Sequence, residues 1–351
     1  MKLGIIGPPQ SGKTTIFNAV SGLQETVGDF SRTVHRAVIK VPDERLDNLA
    51  ELIKPRKVTH TSIEFLDAAC FTGRGKKSTG ELEGIHDLRL MDAVAVVVDD
   101  FSPEARTEQD IGNIIDEMIL ADLIMIEDNV GKLERSIKLT GKKDRAFELE
   151  TLKKCRDILN DNKLISEIGL ADDELKSIRG YAFLTLLPQL LVFNISEDKL
   201  DRHADIYAGY EKYRREGITD ISVICGKIEM ELAALDDDDQ KEFLAELNIE
   251  KPFVEKLIQR SYRLLGLISF FTLSEPECRA WTIPEGATAV TAAGAVHSDF
   301  ARGFIRAEVA SYEDYMEYKT PAALKAAARL NVEGKDYVVR DGDVIQFLFN
   351  V

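Results

Sequence analysis

The chain has 351 residues, more than one ordinary small domain holds, so two or three domains are expected. Its 44% apolar residues can build real cores, while a formal net charge of -16, from 61 acidic and 45 basic residues, opposes generic attraction to nucleic acid or to an anionic membrane surface. No apolar run approaches the roughly 20 residues of a membrane helix, no signal peptide precedes the first motif, and Cys70, Cys155, Cys225 and Cys278 have neither disulfide-framework nor zinc-site spacing. A cytoplasmic protein with reduced thiols and no membrane association, a monomer, is expected.

In chain order, a short apolar strand from Leu3 to Ile6 leads into Gly7-Pro8-Pro9-Gln10-Ser11-Gly12-Lys13-Thr14. These eight residues fit G-x-x-x-x-G-K-[ST] at every constrained position, the loop whose backbone N–H groups wrap the phosphates of a nucleoside triphosphate. A helix from Lys13 to Gly22 adds its N-terminal partial charge to the anion site. Lys13 is placed to reach the β- and γ-phosphates and the Thr14 hydroxyl to ligate Mg²⁺, with Thr15 following in the first turn.

Leu23 to Arg36 is polar and carries Ser31, Thr33 and His35, and it reads as a first switch loop in which Ser31 or Thr33 supplies a second metal hydroxyl. A strand from Ala37 to Val41 and a helix from Asp43 to Ile53 follow, with Asp43 as cap and Pro55 beyond the end. The strand Ser62 to Leu66 ends in Asp67, where a sheet-terminal carboxylate holds Mg²⁺ through water. The glycines and basic residues of Ala68 to Gly84 read as a second, mobile switch. A strand from Ala93 to Val98 completes an α/β alternation and a mainly parallel sheet.

Residues 104–187 show helical spacing without a strand-like run, which predicts two long helices and a shorter one inserted into the nucleotide domain. Strands return at Leu190 to Asn194 and Ile221 to Ile224, and the helix Phe253 to Leu265 closes the domain. After Leu267 come short strands at 268–273, 280–283, 303–309, 337–339 and 344–349, with Asp341-Gly342-Asp343 as a turn, a small α+β domain.

Base recognition is expected from Asn194, Ile195 and Glu197, with Cys225, Gly226 and Lys227 as the last wall. Guanine-specific GTPases use Asn-Lys-x-Asp, whose Asp accepts from guanine N1 and N2. The Asn-x-x-Glu here has a longer acid and no Lys to stack beside the base, which opens the site to adenine, with GTP as the alternative.

These positions together resemble the Obg-like ATPase family, also called YchF, a branch of the translation-factor-related GTPases. The resemblance extends through Val41-Pro42-Asp43-Glu44-Arg45-Leu46-Asp47, Arg279-Ala280-Trp281-Thr282-Ile283-Pro284, Gly303-Phe304-Ile305-Arg306-Ala307 and the tail from Glu333 to Val351. It implies an α/β P-loop NTPase G domain with a mainly parallel sheet (1–103 and 188–267), an inserted α-helical coiled-coil domain (104–187) and a C-terminal α+β TGS, or β-grasp, domain (268–351). It also implies ATP preference, Mg²⁺, ribosome or RNA association through the helical and TGS-like domains, base contact by the Ile195 backbone and a hydrogen bond from Asn194.

The chain departs from the family pattern at three places. Asp67-Ala68-Ala69-Cys70 stands where the family has Asp-x-Ala-Gly, Ser31-Arg32-Thr33 where it has a metal-binding Thr followed by an acid, and Asp99 to Asp110 lacks the His with which the family positions water. The expectation is a nucleotide-controlled switch that hydrolyses slowly or with an activating partner, with His35 and His86 as substitute catalytic groups. A regulatory module without turnover and a small-molecule kinase are the competing readings.

Overall fold

The computed structural model describes residues 1–22, 35–67, 85–140 and 145–350. In chain order the strands are β1 (Lys2–Ile6), β2 (His35–Lys40), β3 (Val58–Thr59), β4 (Ser62–Asp67), β5 (Ala93–Asp100), β6 (Gln189–Ile195), β7 (Thr219–Ile224), β8 (Leu267–Leu273), β9 (Cys278–Pro284), β10 (Phe304–Ala310), β11 (Asn331–Glu333) and β12 (Val344–Phe349). Two compact units result, Met1–Val38 with Glu64–Leu264 and Ile39–Ile63 with Leu265–Val351.

The first unit is built on a sheet of order β2-β4-β1-β5-β6-β7. The pairs β4–β1, β1–β5, β5–β6 and β6–β7 are parallel. Parallel strands are covered on both faces, and accordingly β6 is buried at all seven positions and β5 from Ala93 to Val98. The register sets Ile5 beside Asp67 and Asn194 beside both Asp99 and Ile224, so the carboxyl ends of these strands lie along one edge. Ligands bind at that edge in open α/β sheets.

The described residues of 104–187 are helical, as their periodicity predicts. The helices α1 (Lys13–Ser21), α2 (Glu44–Ile53) and α3 (Ile85–Leu88) precede α4 (Thr107–Thr140), which packs on α5 (Ala146–Asn160). Ile126, Val130 and Leu133 of α4 and Leu152, Cys155 and Leu159 of α5 form one apolar core. At the base of this arm Asp122 is fully buried and accepts from Arg89 Nη1 (2.8 Å), the Leu184 N–H (3.2 Å), and the Thr185 N–H and hydroxyl (2.8 Å each). Four donors are what a carboxylate needs to be tolerated there.

The second unit has a sheet of order β11-β10-β12-β8-β9-β3. Helix α2 belongs to it: Leu46 and Leu49, both fully buried, pack with Phe271, Cys278 and Ala280. Asp43 caps α2 as expected, accepting from the Arg45 N–H at 3.1 Å.

Two sequence expectations change here. The segment 337–339 is a single antiparallel bridge from Val338 to Thr288 rather than a strand: the Val339 N–H donates to the Ala287 carbonyl (3.0 Å) and the Ala289 N–H to the Tyr337 carbonyl (2.8 Å), and the pairing stops there because the helix Ala289–Val296 begins at the next residue. The short strands β3 and β11 have too few residues to show alternation and were not expected.

Candidate functional site

Gly7 to Thr14 link the end of β1 to the start of α1 at the ligand edge of the sheet. Gly7 has φ of +155° and Gly12 +90°. A Cβ on Gly7 would collide with the Val97 carbonyl oxygen, and one on Gly12 with the Asn194 amide nitrogen, so only glycine allows the loop to sit this close to β5 and β6. Gln10 holds φ of 68° without being glycine, a left-handed conformation that costs of order 1 kcal/mol and is common in ligand loops.

Polar groups line the loop. The Lys13 ammonium donates to the carbonyls of Gly7 (2.9 Å) and Pro8 (2.7 Å). The Thr14 hydroxyl donates to Asp67 Oδ2 at 3.2 Å, which joins two of the expected metal ligands although 53 positions separate them. Asp67 is 6% exposed, and burial raises its carboxyl above the usual range, opposed by the Thr14 hydrogen bond and the charges of Lys13 and His35. The Ser11 hydroxyl is buried with no hydrogen-bond partner among the described residues, the kind of atom that a ligand oxygen satisfies.

The second half of the site starts from Asn194 at the end of β6. Its Nδ2 donates to the Ser11 carbonyl (3.1 Å) and its Oδ1 accepts from the Gly226 N–H (2.9 Å), so one buried amide ties the phosphate loop to the start of α8 (Gly226–Leu232), the helix that follows α6 (Asp172–Ile178) and α7 (His203–Tyr210). A Cβ on Gly226 would crowd this tie, coming within 3.1 Å of Asn194 Oδ1 and 2.9 Å of Ile16 Cδ1, so a larger residue there would push on the Asn194 amide.

Beside this tie opens a cleft of about 480 Å³ lined by Gly12, Thr15, Phe101, Asn194 and the stretches 195–198 and 225–227, Gly226 excepted. That volume suits a nucleoside. Glu197 and Lys227 meet across it as an ion pair, so a lysine does stand beside the acid, contributed by α8 rather than by the second position of the motif. The Cys225 thiol is buried and pushed above its ordinary range by burial, which makes it an inert wall.

The sequence did not single out Phe101. It follows the strand-ending pair Asp99-Asp100, and Asp99 Oδ1 accepts from the Phe101 N–H (2.9 Å) and the Ser102 N–H (3.0 Å), which holds the backbone of a residue that lines the cleft while 38% exposed. An Asp at a strand end that can bond the backbone two residues on signals a turn at Asp99 to Ser102, and nothing in it marks the ring.

The remaining candidates are not all together. His35 opens β2, with its ring 6.2 Å from that of Phe17 and its charge acting on Asp67. His86 is exposed on α3. Ser31, Thr33 and Cys70 lie outside the described residues. Among the described residues no group of three or more His, Cys, Asp or Glu is arranged to hold a metal, and no helix is long and apolar enough to cross a membrane.

Comparison with known proteins gives consistent matches. Residues 2–129 match the family described as 50S ribosome-binding GTPase, and residues 267–350 match the YchF GTPase C-terminal family, described as a protein of unknown function (DUF933). The chain is 40% identical over 362 residues to the "Ribosome-binding ATPase YchF" of Pasteurella multocida, with 100% of this chain and 99% of that protein covered. It is 36% identical to the protein of the same name from Bacillus subtilis, with 99% of each covered. Among solved structures, the Schizosaccharomyces pombe YchF GTPase superposes with a TM-score of 0.84 at 27% identity, covering 99% of this chain and 97% of that one.

Proposed function

The chain belongs to the YchF family of P-loop nucleotide-binding proteins, and on that footing we propose that it is a nucleotide-dependent switch that binds ATP with Mg²⁺, hydrolyses it and associates with the ribosome. The observation that carries this reading is the tie through Asn194, which joins an intact phosphate loop to a nucleoside-sized cleft ending in Glu197 rather than Asp. Phosphates would lie against the N–H groups of residues 7–15, with the Ser11 hydroxyl and Lys13 ammonium turned to them. The base would lie beside Phe101, against the Ile195 backbone and Asn194.

The donor set at the loop suits Mg²⁺, a hard cation that takes hydroxyl, carboxylate, water and phosphate oxygens. Thr14 would hold it directly and Asp67 through water, with Ser31 or Thr33 as the further hydroxyl. When bound, the ion supplies charge to the β- and γ-phosphates. Thr14 and Asp67 keep each other oriented through their hydrogen bond, and Lys13 adds positive charge at the same phosphates.

Turnover is slow or partner-dependent in this reading, because the segment Asp99 to Asp110 holds no water-positioning His and Cys70 replaces the glycine of the second switch. The domain boundaries at about residues 104, 188 and 268, the cytoplasmic location and the contact of the helical arm or C-terminal domain with ribosomal RNA or protein are parts of the same proposal. Phosphate release from ATP, measured with and without ribosomes, tests it. Release stimulated by ribosomes is expected, and none under either condition would leave nucleotide binding without turnover.

A further inference from the structure

Glu197 and Lys227 face each other over the base end of the cleft, and each is anchored by the backbone that carries it. Glu197 begins a short 3₁₀ segment, Glu197–Arg202, in which Lys199 binds Asp100 Oδ1 at 3.0 Å at the end of β5. Lys227 is the second residue of α8, whose first N–H is held by Asn194 at 2.9 Å. Their side chains close an ion pair from Lys227 Nζ to Glu197 Oε1, and the other acid near Lys227, Glu231, stands farther off at 3.9 Å.

An unpaired carboxylate on this wall is the chemical reader of guanine. It accepts from N1–H and from the exocyclic N2 amine, two donors that the corresponding edge of adenine lacks. A carboxylate already facing an ammonium has its charge offset and one oxygen engaged, so its advantage for those donors shrinks.

We propose that Lys227 is a specificity-determining residue: it engages Glu197 in an ion pair and so withholds from a bound purine the carboxylate that would favour guanine, tilting the cleft toward adenine. This deepens the proposed function and rests on it. The two side chains are 64% and 45% exposed, so the pair is a solvated one. Its effect on an equilibrium is about twofold to fivefold, enough to set a preference and small enough to be changed by one substitution.

The test is calorimetric titration of the full chain with ATP and with GTP, each with Mg²⁺, in the wild type, Lys227→Met, Glu197→Gln and the double variant. Lys227→Met is expected to raise affinity for GTP relative to ATP by about twofold to fivefold, and the double variant to return the ratio to near the wild-type value, because a neutral amide cannot replace the freed carboxylate. A GTP-to-ATP ratio unchanged by Lys227→Met overturns the proposal, as does an equal rise in the double variant. So does loss of both nucleotides by a Lys227→Met protein that melts like the wild type, since Lys227 would then act on the nucleotide directly. A wild type that binds neither nucleotide overturns instead the nucleotide-site reading underneath.

Discussion

Arg45 and Asp341, 296 positions apart, form a two-pronged ion pair, with Nη1 2.9 Å from Oδ2 and Nη2 3.2 Å from Oδ1. Arg45 also grips Asp43, its own helix cap, and lies over the Phe271 ring at 5.4 Å. Asp341 in turn accepts from the Ser269 N–H at 2.9 Å. One guanidinium thus fastens the start of α2 to the turn before β12, inside the C-terminal unit. Arg45→Met is expected to destabilise that unit by about 2 kcal/mol, and Arg45→Lys by nearly as much because the fork is lost. The single tryptophan, Trp281, lies in β9 of the same unit, so urea unfolding followed by its fluorescence reads the effect. An unshifted midpoint would count against the pair as a brace.

That pair also shows which parts of the molecule its sequence discloses. The phosphate loop was legible because eight consecutive residues carry all its constraints, and the glycine positions are dictated by backbone approach that any sequence must respect. Helix α2 was legible as a helix from its leucine spacing and cap. Its membership in the unit with residues 265–351 was not, since Leu46 and Leu49 announce an apolar face without naming what covers it. The same holds for Asn194, expected at the base, whose bonds to Ser11 and Gly226 span 183 and 32 positions. Chain-distant polar ties leave no local periodicity.

Thr14 and Asp67 provide the next prediction. The hydroxyl-to-carboxylate contact at 3.2 Å joins the two described groups best suited to a hard cation. Thr14→Ala is expected to lower ATP affinity in the presence of Mg²⁺ by about tenfold, near 1.4 kcal/mol, while leaving binding in excess EDTA little changed. Titrations under both conditions separate this outcome from general damage to the loop, which would weaken binding equally in each.

Phe101 lines the cleft with its backbone held by Asp99, and an aromatic face offered to a base is indifferent to which base it is. Phe101→Ala is expected to weaken ATP and GTP together, by about 1 to 2 kcal/mol for a lost stacking partner. Competition with a fluorescent nucleotide measures both. A loss confined to one base would place the ring away from the stack.

Glu229 predicts a pH dependence of stability. It is 1% exposed on α8 and accepts from the N–H groups of Phe253 (2.9 Å) and Val254 (3.1 Å) at the start of the helix Phe253–Leu264. Burial, the largest influence, pushes its carboxyl from 4.5 up to about 7 despite those two bonds. The folded state therefore binds the proton more tightly than the unfolded one. Its contribution is fully present below 4.5 and is lost as pH rises through 7. Thermal unfolding between these limits is expected to show a decline on the order of 2 kcal/mol. Glu229→Gln should flatten the slope and lower stability at acid pH, because its amide nitrogen cannot accept one of the two N–H groups.

The last prediction separates the two histidines. Sequence placed both His35 and His86 beside candidate switches, and neither could be preferred there. In the structure, His35 stands at the start of β2 against Phe17, close enough for its charge to favour ionised Asp67. His86 is exposed on the four-residue helix α3. A group acting on water or phosphate must lie near the metal and phosphate site, and His35 is the one whose charge acts on Asp67, the carboxylate expected there. His35→Ala is therefore expected to slow single-turnover ATP hydrolysis by about tenfold to a hundredfold, with ATP affinity changed much less, and His86→Ala to leave the rate as it was. Rapid-quench measurement with enzyme in excess over ATP reads the chemical step directly. Equal rates in the wild type and both variants would remove both histidines from catalysis and move the search for the water-positioning group to other residues or to a partner.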